Sequence, residues 1–248
     1  SGNAIFTGYF PNELQAKYPD LWPQMWGNKK SMNQFETQFL KDYLIRKGLG
    51  SKSVHYQKII NYDDGNRLVN HIGEYIDIDM LVLVVNFVDI LGHSRSESTI
   101  LQEMVPDESA YRKAICAWLE NAWLMDVLKH ISTWGRTVFI TSDHGSKRVN
   151  KAVQIKGDMD TSTGIRYKYG RNLNLPEKSG LRITDPGNYL LPDHGINIDY
   201  IIAKDGHFFV YPNEYHRFSK RYQNSFQHGG ISLEEMLIPI TTMKGKNA

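Results

Sequence analysis

Apolar positions repeat with two different periods along this chain, and the change from one period to the other marks its elements. Three short, β-branched runs, Leu81 to Val88, Thr137 to Thr141 and Leu237 to Thr242, are followed by polar turn residues and read as buried strands. Between the first two, Ala110, Ala114, Ala117, Trp118, Asn121, Leu124, Met125 and Leu128 recur at helical spacing. They predict one long helix over Asp107 to Thr133, with Asp107 and Glu108 at the end where carboxylates suit the helix dipole. Strand, helix, strand implies parallel strands joined by a crossover, in a sheet covered by helices. Upstream, Phe35, Phe39, Leu40, Tyr43 and Leu44 predict a helix over Met32 to Lys47. A strand over Val54 to Ile60 and a helix over Gly65 to Ile76 follow. Downstream, Tyr200 to Ala203 and His207 to Tyr211 flank Lys204-Asp205-Gly206 and predict a β-hairpin. Lys156 to Pro192, rich in Gly, Asn, Pro and Thr and without a sustained period, predicts an inserted loop or small subdomain over one face. The expected fold class is α/β, a mainly parallel central sheet sandwiched by helices, in a single domain spanning residues 1–248.

Composition narrows the class of function. With 248 residues, 41% of them hydrophobic, the chain can bury a full core. Its 29 basic and 27 acidic residues are interspersed and give a net charge of +2, which argues against a protein that coats nucleic acid. An anionic substrate has to be held locally. The single cysteine, Cys116, excludes an internal disulfide framework and lies in an apolar helical pattern, so a buried structural thiol is expected rather than a reactive one. No run of about 18 apolar residues appears, and the opening Ser-Gly-Asn-Ala-Ile-Phe lacks the order of a signal peptide. A cytoplasmic protein without membrane insertion is expected, and an opening Ser1-Gly2 without Met reads as a fragment or processed start.

Three motifs can carry chemistry. Asp89 and His93 follow the Leu81 run, at the carboxyl end of a strand, where open α/β sheets hold their ligands. They converge if Gly92 lets the backbone fold back, and an oxygen with a nitrogen suits zinc or a similar ion. The alternative is that Asp89 caps the next helix and His93 is an ordinary surface residue. Asp143 and His144, before Gly145, follow the Thr137 strand in the same way, and a simple capped turn would account for Asp143 alone. His228-Gly229-Gly230 permits close backbone approach to a ligand, whereas Ser232 with Glu235 fits a structural capping box. Lys156, Arg166, Lys168 and Arg171 cluster in the loop after the Asp-His-Gly motif and could neutralise phosphate oxygens, diluted by Asp158 and Asp160; a solvated basic face is the alternative. The histidines at 55, 71, 130, 194, 207 and 216 show no partner pattern.

Asp-x-x-x-His, Asp-His-Gly and His-Gly-Gly in this order resemble the alkaline phosphatase superfamily. Asn3-Ala-Ile-Phe-Thr-Gly8, Asp20-Leu-Trp22, Thr141 to Gly145, Arg166-Tyr-Lys168, Gly170-Arg-Asn172 and Gln227 to Glu235 resemble the PglZ domain more closely. In particular they resemble the effector domain of PorX-type response regulators, which serve the signalling that controls type IX secretion. The resemblance implies a zinc held by Asp89, His93 and His228, and a second zinc held by Asp143 and His144. A first-strand Asp and a Ser or Thr nucleophile complete the family's second site. Measured against Gly8, both would precede Ser1, so the domain is expected to be truncated on its N-terminal side and the fragment inactive. The full-length protein is expected to hydrolyse phosphodiesters, such as short oligonucleotides, to carry an N-terminal receiver domain, and to form a homodimer as one assembly. The rival expectation is a non-catalytic, metal-stabilised interaction module.

Overall fold

In the computed structural model, which describes residues 2–27, 34–158, 162, 164–213 and 215–245, the chain opens with four helices. These are α1 (Gly2–Thr7), α2 (Pro11–Lys17), α3 (Trp22–Gly27) and α4 (Glu36–Arg46). Next come β1 (Val54–Ile59), α5 (Tyr62–His71), a 3-10 turn (Ile72–Tyr75), β2 (Met80–Val85), α6 (Phe87–Arg95), α7 (Thr99–Met104), α8 (Glu108–Asn121), α9 (Trp123–Ile131) and β3 (Thr137–Thr141). A strand-rich stretch holds β4 (Lys147–Arg148), β5 (Lys151–Gln154), β6 (Tyr167–Gly170), β7 (Gly180–Ile183), β8 (Asp199–Ala203) and β9 (His207–Val210). The chain then closes with α10 (Tyr215–Tyr222), β10 (Phe226–Gln227), α11 (Leu233–Met236) and β11 (Ile240–Lys244). The fold is α/β. Residues divide into two units, one of Ser1–Ser51, Asp143–Gln223 and Gln227–Ile238, the other of Lys52–Ser142, Asn224–Phe226 and Pro239–Ala248.

In the second unit β1 and β2 pair in parallel, Val54 opposite Met80 through Ile59 opposite Val85. Above them α5 and α9 interlock. Asn61 caps α5 by accepting the Asp64 N–H at 2.9 Å, and Gly65, lacking a Cβ, leaves the space that the Trp123 indole occupies. Trp123, Val127 and Ile131, one face of α9, then pack on Ile59, Leu68 and Ile72. The long helix expected over Asp107 to Thr133 is broken at Ala122, whose backbone is extended at ψ 160°. The break lets α8 and α9 present different faces: Tyr111 of α8 stacks on Phe226 at 4.1 Å while α9 covers the core. Asp107 does cap α8, accepting from Ala110 N at 2.8 Å.

β3 pairs with β11 antiparallel, Thr141 opposite Ile240, so β3 is not a hydrogen-bonded neighbour of β2. Among the described residues the hydrogen-bonded strands form small sheets of two or three, both parallel and antiparallel, within an α/β fold. The expected buried character also fails over most of β3 and β11, where Phe139 is 68% and Ile240 71% exposed; Val138 of β3 packs against the core of α5 and α9. The last strand begins at Ile240 rather than Leu237, since Leu237 terminates α11. Cys116, expected to be buried, is exposed on α8, whose one buried residue is Tyr111.

In the first unit β5 and β9 pair in parallel, and β6, β8 and β7 form a three-stranded antiparallel sheet with β8 in the middle. The expected hairpin of β8 and β9 is therefore absent. The turn is real, with Asp205 at φ 50°, but β8 hydrogen-bonds to β6 and β7 and β9 to β5. The segment from Lys156 to Pro192, expected as an inserted loop or small subdomain, supplies β6 and β7. Met32, the expected start of α4, and Asp160 lie outside the described residues.

Candidate functional site

In the second unit Asp89 and His93, both exposed, lie on α6. One turn of helix places them on one face, with His93 Nε2 3.3 Å from Asp89 Oδ1. Convergence thus comes from helical spacing, and no fold at Gly92 is needed. Gly92 serves packing: a Cβ there would lie 3.2 Å from the Tyr111 hydroxyl, which donates to Val88 O at 2.9 Å and pins the start of α6. Buried Arg95 anchors the other end by donating to the carbonyls of Val105 and Asn224. The hydrogen bond with Asp89 raises the His93 pKa against the opposing effect of burial.

The first unit holds Asp143, His144 and His228. The His144 and His228 rings stack at 3.8 Å with 12° between their planes. His144 Nδ1 lies 3.0 Å from Gly145 O, and since a carbonyl only accepts, Nδ1 carries the proton in the neutral ring. Nε2 then presents a lone pair, 3.6 Å from Asp143 Oδ2. A lone pair facing a carboxylate oxygen is repulsive unless a proton or a cation lies between them. Two ligands about 2.1 Å from a tetrahedral zinc are roughly 3.4 Å apart, so the 3.3 Å and 3.6 Å separations fit an N/O donor set.

Both histidine loops of this unit are held by one buried ion pair. Arg166 and Glu235 are 1% and 3% exposed. Arg166 Nε donates to Glu235 Oε1 at 2.8 Å, and Nη2 to Oε2 and to Ser232 Oγ. The carboxylate also accepts from Gly230 N at 2.9 Å and Ser232 N at 3.1 Å. Burial would push Glu235 up, but the Arg166 hydrogen bonds and charge, with the two backbone N–H groups, outweigh it and hold its pKa down. The glycines after each histidine answer to this cluster. A Cβ on Gly230 would collide with the Arg166 guanidinium, and one on Gly145 would overlap the Glu234 carbonyl oxygen. Gly229, at φ 97°, lies against Tyr167. The close backbone approach expected at Gly229-Gly230 is thus to Tyr167 and Arg166. Gly145 N donates to Glu235 O at 3.0 Å, tying the His144 loop to the same helix. The capping box of Ser232 and Glu235 is present as expected.

The four basic residues expected to face phosphate separate into two pairs. Lys156 and Arg171 are exposed. Arg166 is consumed by Glu235, and Lys168 is buried with its ammonium 3.9 Å from the Tyr211 ring centroid, where burial lowers its pKa to about 8. The expectation is corrected for this pair: burial keeps them from meeting a substrate in solvent. Sequence reasoning missed that Arg166 partners Glu235. The capping-box signal at Ser232 and Glu235 was legible, but nothing local links residue 166 to residue 235.

A family model described as the BREX system PglZ alkaline phosphatase-like domain matches residues 3–243. Comparison with curated proteins gives no match. Among the described residues, no helix is long and apolar enough to cross a membrane.

Proposed function

Because the chain belongs to the PglZ alkaline phosphatase-like family, matched over residues 3–243, we propose that it serves a metal-dependent phosphoester hydrolase that cleaves phosphodiesters of nucleotides or short oligonucleotides. The proposed ligands are Asp89, His93 and His228 for one ion and Asp143 and His144 for another, with zinc as the ion. The observation that carries the reading is the pair of contacts made by the His144 ring, with Nδ1 3.0 Å from the Gly145 carbonyl oxygen, which only accepts, and Nε2 3.6 Å from Asp143 Oδ2. Asp89 with His93 supports it as a second oxygen and nitrogen pair held on one helix face.

Zinc bound by these residues would supply Lewis acidity, lowering the pKa of an attacking oxygen and offsetting charge on a departing one. The chain's own part is to hold the donors still. The Gly145 carbonyl fixes the His144 tautomer, and the Arg166 and Glu235 pair fixes the backbone after His228. Exposed Lys156 and Arg171 are the proposed contacts to phosphate oxygens. A receiver domain, a role in type IX secretion, a homodimer and a cytoplasmic location belong to the same proposal and are supported by motif resemblance and composition alone.

The test is zinc content by elemental analysis after dialysis, with hydrolysis of bis(p-nitrophenyl) phosphate measured on the full-length protein. His144→Ala, His228→Ala and the Asp89→Asn, His93→Ala double variant should each lose zinc, and a chelator should abolish turnover. Wild-type zinc in all three variants, or turnover indifferent to the chelator, would sink the proposal. The gene sequence upstream of Ser1 tests the receiver domain.

A further inference from the structure

Helix α10 carries a charge pattern that the proposed metal chemistry does not use. Its sequence, Tyr-His-Arg-Phe-Ser-Lys-Arg-Tyr, contains three permanent cations and an imidazole and no acid, more positive charge than the +2 of the whole chain. Tyr215, Phe218 and Tyr222 turn inward and pack on the cluster of Val149, Phe208 and Val210. The Phe218 and Tyr222 rings are nearly parallel, and the Tyr215 hydroxyl reaches Ala152 O at 3.4 Å. His216, Arg217, Lys220 and Arg221 are all exposed. Positions i, i+1, i+4 and i+5 share one face of a helix, so the cations form a stripe instead of a scatter. At the start of the helix Gln154, Pro212, Tyr215, His216 and Arg217 line an open cavity of about 510 Å³.

We propose that the α10 stripe and this cavity form a binding surface for single-stranded nucleic acid. The cations would track successive phosphates, and the cavity would take a nucleotide, with Arg217 forking to phosphate oxygens and the Tyr215 ring beside the base. Lys220 and Arg221 also suit the helix dipole, being in the last turn, but that role does not account for Arg217 or for the cavity in the first turn. An anionic membrane is the less suitable partner. A surface-lying helix inserts its apolar face among lipids, and here that face is covered by Val149, Phe208 and Val210. An acidic peptide could meet the stripe, yet it would leave without purpose a cavity lined by an aromatic ring, a carboxamide and a guanidinium.

The surface does not rest on the hydrolase reading, and binding is measured with metal removed. Fluorescence anisotropy of a labelled oligothymidylate of roughly 15 nucleotides in EDTA at low salt is the assay. Wild type should bind, and the Arg217→Glu, Lys220→Glu, Arg221→Glu variant should bind at least about tenfold more weakly. Its affinity should also fall less steeply with salt, the logarithmic slope shrinking by roughly 0.7 for each phosphate that is no longer neutralised. A second variant with Gln at the same three positions should show the same direction and covers failure of the first to fold. Lys129→Glu, an exposed charge reversal on α9 outside both proposed sites, should bind as wild type, and because binding is read in EDTA, loss of the metal reading would leave this one standing. Absence of wild-type binding, wild-type affinity in both triple variants, or sedimentation with phosphatidylserine vesicles without oligonucleotide binding would overturn it.

Discussion

Replacing Arg166 with Met should be among the most damaging single changes in the first unit. It removes the two hydrogen bonds to Glu235 and those to Ser232 Oγ and His207 O, and leaves a buried carboxylate held only by the Gly230 and Ser232 N–H groups. Removing one partner of a buried pair costs about 3–5 kcal/mol, because the other charge stays desolvated. For a chain of this size that corresponds to a fall in Tm of roughly 6–20 °C. Adding Glu235→Gln removes the stranded charge while keeping an oxygen for Gly230 N, and should restore about 1–3 kcal/mol. Urea melts followed by circular dichroism measure both, and, on the proposed metal reading, elemental analysis of the folded single variant should show weakened retention of the proposed zinc, since the backbone after His228 rests on this pair. The reasoning fails if Arg166→Met costs less than about 1 kcal/mol, the scale of an exposed pair, or if the double variant is no more stable than the single.

Gly230→Ala should be similarly harmful, because its Cβ has no room beside Arg166; an unchanged Tm would contradict the packing described. Asp107→Ala should cost α8 about 1 kcal/mol through loss of its cap, read as a shift in the urea midpoint without a change in slope. Asp79 is held down to about 2, from 3.8, by the Ser53 N–H first and then by Lys52 and the Ser53 hydroxyl. Its contribution is therefore present above about pH 3.8 and disappears as pH falls toward 2, and Asp79→Asn should lack that acid-dependent loss. Lys168, lowered from 10.5 to about 8 by burial, sheds its proton in the folded chain first, so stability should rise between pH 8 and 10.5. That rise should vanish in Lys168→Met, and its survival there would discount the buried ammonium.

Local signals were sufficient where a residue's role is settled by its near neighbours. The β1, β2 and β3 strands, the α8 cap at Asp107 and the Ser232 and Glu235 box all follow from short stretches of chain. The metal-ligand candidates were legible in the same way, since Asp89 with His93 and Asp143 with His144 are near neighbours in sequence. Strand pairing was not legible. Lys204-Asp205-Gly206 is a sound turn, but which strands hydrogen-bond depends on residues far away, and β8 lies between β6 and β7. Burial followed the same rule, as exposed Cys116 and Phe139 illustrate, because an apolar pattern names a face without naming what covers it.

The amino-acid sequence by itself determined the family, the order of its motifs and the identity of the proposed metal donors. Tertiary structure alone decided what the glycines and the basic residues are for. Gly145 and Gly230 make room for α11 and its ion pair, Arg166 neutralises Glu235, and Lys168 lies beneath Tyr211. The physical reason is that a side chain's charge and donors are local properties, whereas the partner that satisfies them when buried is chosen by the fold.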